Sequence, residues 1–285
     1  MDTALPSLSP QELQRLLGRP DAPLLLDVRK PERFAESPHL IAGAVYCAPQ
    51  DVAAFARSQP PGAIVTYCVY GHYVSQDAAR TLRDAGWEAS YLQGGIEGGE
   101  PGEDGFADIA RWSEAPPLRL RKRPELGVTG ERPSRWITRE RPKIDRIACP
   151  WLIRRFIDPR AQFFYVPAGE VLARAAQLEA VPFDIEGAAI THRWERCSFD
   201  ALLEDFELRD PALDRLATIV RGADTDRLGL APQCAGLLAV SLGLSRLHAD
   251  DDQAMLRAGL TVYDALYAWC REAQGETHSW KVHVA

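Results

Sequence analysis

The stretch Ala63-Ile64-Val65-Thr66-Tyr67-Cys68-Val69-Tyr70-Gly71-His72-Tyr73-Val74-Ser75 reads as an apolar strand, a short turn and the opening of an amphipathic helix. A strand that ends in a turn and feeds a helix is the building unit of a parallel α/β sheet. Cys68 falls at the carboxyl end of that strand, the edge where such sheets bind their ligands. The turn offers the successive backbone N–H groups of Val69 to Ser75, and the helix start adds partial positive charge, so an anion is stabilised there. The same field favours the thiolate, which is the nucleophilic form of cysteine. A buried cysteine acting as a small hydrophobe is the competing reading; the glycine-containing turn around Cys68 favours function.

The segments on either side repeat the pattern. Ser9-Pro10-Gln11-Glu12 is a capping sequence, with Ser at the N-cap, Pro at the first helical position and Glu at the third. Leu24 to Val28 is a strand apolar up to Asp27, as expected when both faces of a sheet are covered. A short helix at Phe34, a strand at Ala44 to Tyr46, a helix over Asp51 to Arg57, a helix over Ser75 to Ala85 capped by Gly86, and a strand at Ala89 to Leu92 complete the unit.

Leu24-Leu25-Leu26-Asp27-Val28-Arg29, His39-Leu40-Ile41-Ala42-Gly43-Ala44 and Tyr91-Leu92-Gln93-Gly94-Gly95-Ile96 occur in the order of the motifs of the rhodanese family, which residues 7–97 resemble. The resemblance implies a sulfurtransferase. Cys68 would accept a sulfane sulfur, hold it as a persulfide and pass it to a thiol, with Asp27, Arg29 and the turn residues Val69, Tyr70, Gly71, His72, Tyr73, Val74 and Ser75 around the anion. His72 is also a candidate acid or hydrogen-bond donor. Two positions depart from the pattern. Tyr73 stands where active members carry an Arg that binds an anionic donor, which counts against thiosulfate, and Gly98-Gly99 replaces an aromatic residue.

At 285 residues and 46% hydrophobic content the chain has material for two domains. The net charge of -7 disfavours a nonspecific nucleic-acid binder, yet Arg119 to Arg160 carries 13 Lys and Arg against 5 Asp and Glu. No run of about 18 apolar residues suggests a membrane span. Six dispersed cysteines without a C-x-x-C, and no evident secretory signal, fit a reducing cytoplasm. The expected division is a front domain over 1–100, a basic Pro/Gly-rich linker over 101–133 that is extended and solvated, a mostly helical α+β domain over 134–274, and a disordered tail over 275–285.

The second domain opens with Ser134-Arg135-Trp136 and continues through Cys149-Pro150-Trp151 to Asp158. This run, with Gly187 to His192, Val220 to Asp226 and Val262 to Trp269, resembles the C-terminal domain of the chromate-resistance protein family, over about residues 135–274. The resemblance implies a role in chromate resistance as a sensor, regulator or auxiliary factor, and members with a rhodanese-like domain in front. Strands are expected at Gln162 to Val166 and Ala188 to His192, and helices at Phe199 to Phe206, Pro211 to Gly222, Pro232 to Gly243 and Asp251 to Trp269. Pro150 would start or disrupt a helix, leaving Cys149 either activated at its N-terminus or packed in the core. Arg139, Arg141, Lys143, Arg146, Arg154 and Arg155 form an arginine-rich set suited to a tetrahedral dianion such as chromate or sulfate. Asp145, His192, Glu195, Asp224, Asp226 and Asp264 supply imidazole and carboxylates suited to divalent Mn, Fe or Zn, without any H-x-x-x-H spacing. Asp224 and Asp226 equally suit the cap of a following helix. The function expected is sulfur transfer from a small-molecule donor to a thiol acceptor; the alternative is a chromate-responsive binding protein with an inactive rhodanese fold.

Overall fold

The computed structural model describes residues 4–276. The strands in chain order are β1 (Ser7–Leu8), β2 (Leu24–Asp27), β3 (His39–Ile41), β4 (Ala44–Tyr46), β5 (Ala63–Tyr67), β6 (Glu88–Leu92), β7 (Arg119–Arg121), β8 (Arg135–Arg139), β9 (Gln162–Val166) and β10 (Val181–Pro182). Five of them build a parallel sheet in the order β1-β6-β5-β2-β4. Successive residues of its central strands alternate between two apolar clusters. Leu25, Val65 and Tyr67 face one, while Leu26, Ile64 and Cys68 face the other. The sheet is therefore covered on both sides, which is why its strands read as unbroken apolar runs. Helices Pro10–Leu16, Val52–Ser58 and Tyr73–Asp84 stand where the sequence placed them, and Ser9 and Glu12 complete the capping box.

The basic segment expected as a solvated linker is instead packed. β7 pairs antiparallel with β3, with Leu120 opposite Leu40. Leu118, Leu120, Leu126 and Val128 are buried. The alternation of Leu118, Arg119, Leu120 and Arg121 sends leucines inward and arginines outward, the period of a strand lying on a core. Trp112, from the helix Phe106–Glu114, donates its indole N–H to the Gly95 carbonyl at 3.1 Å, and Arg119 hydrogen-bonds the Ile96 carbonyl while its guanidinium lies over Trp112.

The second half centres on a parallel sheet in the order β10-β8-β9, wrapped by helices Asp145–Leu152, Val171–Leu178, Ser198–Asp205, Pro211–Asp224, Cys234–Leu247 and Asp252–Ala268. The expected strand at Ala188 to His192 does not form; a single bridge between Phe183 and Ile190 is all that remains of it. The helix expected to break or to start at Pro150 does neither: it starts at Asp145 and runs through it, continuing as a wide turn over Ile153–Ile157. Cys149 therefore sits inside a helix, fully buried, and burial pushes its thiol well up.

The two halves share one apolar cluster that runs from Leu13 and Leu17 through Leu40 and Ile41 to Trp151, Phe156 and Tyr267. Gly18 and Gly43 make this closure possible. A Cβ on Gly18 would lie 2.2 Å from the Phe156 ring, and Gly43 N–H donates to the Phe156 carbonyl at 2.7 Å. Arg271 donates to the Leu17 carbonyl at 3.0 Å. The stretch 277–285, most of the expected tail, lies outside the described residues.

Candidate functional site

Cys68 follows β5 directly, with the helix Tyr73–Asp84 starting five residues later. Its Sγ lies 3.3 Å from the Ser75 hydroxyl, which itself donates to the His72 carbonyl at 3.1 Å. Cys68 is 6% exposed and borders an open cavity of about 300 Å³ lined by Val69, Tyr70, His72, Tyr73 and Val74 together with Arg29, Lys30, Arg33 and Glu100. Among the described residues, none of the backbone N–H groups from Val69 to Ser75 donates to a protein acceptor. Val69, Tyr70, His72, Tyr73 and Val74, with their uncommitted amides, line the cavity that Cys68 borders, a lining suited to a bound anion, while Gly71 packs on the Gly94-Gly95 turn.

Glycine sets the shape of this loop. Gly71 has φ +80, and a Cβ there would stand 2.6 Å from the Leu92 carbonyl; on Gly95 it would stand 2.5 Å from the Cys68 and Val69 carbonyls. The turn after β5 thus lies backbone against backbone on the Gly94-Gly95 turn, pinned by Ile96 N–H to the Cys68 carbonyl at 3.1 Å and Glu97 N–H to the Val69 carbonyl at 2.9 Å.

Three residues of the expected site behave differently. Asp27 is fully buried and takes no part in the cavity wall. Arg29 grips it with Nη2 to Oδ2 at 2.6 Å and Nε at 3.0 Å from both oxygens, and Tyr67 donates to Oδ2 at 2.9 Å. Arg29 only borders the cavity, its fork being spent on Asp27 and the His39 carbonyl, so the pair is a buried strut under the loop rather than an anion clamp. His72 turns both ring nitrogens to carboxylates, Nε2 to Asp104 at 2.8 Å and Nδ1 to Glu100 at 3.5 Å, rather than to the sulfur. The hydrogen bond from Glu100 N–H, with help from His72, holds the Asp104 carboxyl below its usual range.

In the second half the six basic residues do not form one anion site. Arg155 makes a bidentate pair with Asp264, 2.8 Å on both arms, and Arg154 lies over the Phe163 ring. Arg141 has φ +54 and gives its backbone N–H to Asp252. Lys143 joins no ion pair among the described residues. Only Arg139 and Arg146 converge, and their common target is the Asp184 carboxylate, at 3.9 and 3.4 Å. Their charge is answered from within the protein.

The acidic set also regroups. Asp145, Asp224 and His192 come together, joined by Asp184, which sequence reading missed. His192 Nε2 lies 3.0 Å from Asp224, 3.3 Å from Asp184 and 3.7 Å from Asp145. Hydrogen bonds to Asp184 and Asp224 push the imidazole up to about 10, while burial and the neighbouring Asp224 and Asp184 raise Asp145. Glu195, Asp226 and Asp264 lie elsewhere. Glu195 is exposed and pairs with Arg227, Asp226 is exposed in a left-handed turn, and Asp264 serves Arg155 and the Trp151 indole. Asp184 has φ +52 and follows β10, in a segment with no neighbouring histidine or cysteine to draw attention to it.

Comparison with known proteins identifies both halves. Residues 9–100 match the model of the rhodanese-like domain and residues 136–270 that of the ChrB C-terminal domain, so the chain joins a rhodanese-like domain to a ChrB C-terminal domain. Over 151 residues it is 36% identical to Protein ChrB of Cupriavidus metallidurans, an alignment covering 50% of this chain and 45% of that protein. The chain thus spans less than half the length of this curated relative. Among solved structures it is similar to a rhodanese homologue from Thermus thermophilus (29% identity, 33% of this chain, 99% of that chain, TM-score 0.27). It is also similar to a rhodanese-like domain protein from Staphylococcus aureus (22% identity, 34% of this chain, 95% of that chain, TM-score 0.29). No helix among the described residues is long and apolar enough to cross a membrane.

Proposed function

We propose that this protein is a sulfurtransferase that carries sulfane sulfur on Cys68 in a pathway tied to chromate resistance. The observation that carries the reading is a cysteine that borders a cavity lined by five loop residues with uncommitted backbone amides, its sulfur beside the Ser75 hydroxyl. The Cys68 thiolate attacks the outer sulfur of a donor, the donor's bond to that sulfur breaks, and the donor remainder leaves with the electron pair. The persulfide anion is held by the loop amides. An acceptor thiolate then attacks the outer sulfur, the S–S bond breaks toward Cys68, and the thiolate is restored.

The cavity wall narrows the donor. Tyr73 is 73% exposed at its rim and Glu100 adds negative charge, while Lys30 and Arg33 supply the cations. An organic mercapto acid or low-molecular-weight persulfide, with one carboxylate for Lys30 and an apolar stem for Tyr73, suits this wall better than a compact dianion. The likeness to Protein ChrB supports the link to chromate. The cytoplasm remains the compartment in which a sulfur carrier with six free thiols fits best.

Incubating the full chain with 3-mercaptopyruvate or with thiosulfate, followed by peptide mass analysis, tests the reading. A gain of one sulfur on the Cys68 peptide, faster with mercaptopyruvate, is expected; no gain with either donor overturns it. Chromate sensing through the arginine set has no comparable support, because Arg154 and Arg155 are engaged with Phe163 and Asp264, and Arg139 and Arg146 with Asp184.

A further inference from the structure

We infer that Asp145, Asp184, Asp224 and His192 form a binding site for one divalent first-row metal ion at the carboxyl edge of the second sheet. Asp145 opens the first helix after β8, Asp184 follows β10, His192 lies on the connection beyond it, and Asp224 ends the helix Pro211–Asp224. Three segments far apart in sequence, one of them carrying both Asp184 and His192, therefore deliver one nitrogen and the carboxylates of Asp145 and Asp184 to one point on the sheet edge where parallel sheets bind ligands, with Asp224 beside the imidazole.

The geometry at that point exceeds what hydrogen bonding can use. His192 Nε2 carries at most one proton, yet three carboxylate oxygens approach it at 3.0, 3.3 and 3.7 Å. The imidazole can serve only one of them; Asp145 Oδ2 and Asp184 Oδ1 also take hydrogen bonds from the Ser198 N–H and hydroxyl. A metal ion would accept the nitrogen and the carboxylate oxygens together. With metal–ligand bonds of about 2.1 Å, neighbouring donor atoms stand about 3.0 to 3.4 Å apart, close to the separations seen. One donor atom from each of Asp145, Asp184 and His192 lies within 4.8 Å of the others, and Asp224 joins through the imidazole.

Each carboxylate offers one oxygen to the imidazole and has the other tied down. Asp145 presents Oδ2, also held by the Ser198 N–H at 2.6 Å, while Oδ1 accepts from Phe199 N–H at 3.0 Å. Asp184 presents Oδ1, also held by the Ser198 hydroxyl at 2.9 Å, while Oδ2 faces Arg146. Asp224 presents Oδ2, while Oδ1 faces Asp145 N–H at 3.4 Å. Outer contacts of this kind fix the ligands of metal sites. One imidazole with carboxylates and no thiolate suits Mn, Fe or Zn. The His192 side chain is 39% exposed, so one flank stays open for water or a substrate oxygen.

The test uses the full chain, treated with a chelator and then titrated separately with ZnCl2 and MnCl2 by calorimetry. One equivalent of one of these metals is expected to bind, with affinity falling at least tenfold in Asp184→Asn and in His192→Ala and unchanged in Asp264→Asn. X-ray absorption of the loaded wild-type chain, which does not depend on any variant folding, should give a shell of nitrogen and oxygen including one imidazole. Absence of saturable binding, binding unchanged in Asp184→Asn and His192→Ala, or a sulfur shell from the cysteines would each overturn the site and leave a proton-sharing cluster only.

Discussion

The sulfur of Cys68 and the hydroxyl of Ser75 stand 3.3 Å apart across the first turn of the helix that follows the loop. In the structure that hydroxyl donates to the His72 carbonyl; turned to a sulfur anion it makes a hydrogen bond to a charged group, which contributes about 1.5 to 3 kcal/mol. Ser75→Ala is therefore expected to slow persulfide formation by roughly 10- to 100-fold at fixed donor concentration. Single-turnover loading followed by mass analysis checks it, and an unchanged rate would mean that Ser75 only supports the turn.

Arg29→Ala should destabilise the whole folded chain. The substitution leaves the Asp27 carboxylate buried without its bidentate partner, a loss of about 3 to 5 kcal/mol. Urea denaturation gives the number. A loss below about 1 kcal/mol would mean that water reaches Asp27.

Gly95→Ala forces a Cβ to within 2.5 Å of two backbone carbonyls at φ +56. The strained backbone costs about 1 to 3 kcal/mol before the clash is added. We expect lower stability together with loss of sulfur loading, because the Cys68 turn must move aside. Gly62→Ala, where nothing lies within 4 Å, is the matched control and should leave loading intact.

Alkylation distinguishes the thiols. Burial pushes Cys47 and Cys270 up to about 11, so at pH 8 each holds only about one thiolate in a thousand, and the reactive form appears only as pH rises toward that value. Cys68, which borders the cavity, should be labelled first by iodoacetamide at pH 8. Peptide mapping reads the order, and equal labelling of Cys47 would contradict it.

A fragment ending at Gly99 should be less stable than the full chain. It lacks β7 and with it the cover over Leu40 and Ile41. A fragment with the same melting temperature and no tendency to aggregate would show that the β3–β7 pairing contributes nothing.

The Cys68 loop was legible because everything that makes it lies within a dozen residues: a strand, a glycine, a helix start. The second half resisted for the opposite reason. Asp184 is a solitary acid 39 positions from Asp145, brought to it by the parallel register of β8 and β10, which no local spacing announces. Closeness of the arginines in sequence is not closeness in space. Arg139 and Arg146 meet at Asp184, while Arg154 turns to Phe163 and Arg155 to Asp264. The basic segment misled because its charges outweighed the alternating leucines, the signal that should have marked β7 as a strand.

The closure of Phe156 onto Gly18 joins one face of the front sheet to the rear core. A molecule built this way is expected to melt in a single cooperative step, so that whatever binds at either end defends the other. A ligand of the rear half present at a hundred times its Kd adds about 2.7 kcal/mol to the resistance of the entire chain, the Cys68 turn included.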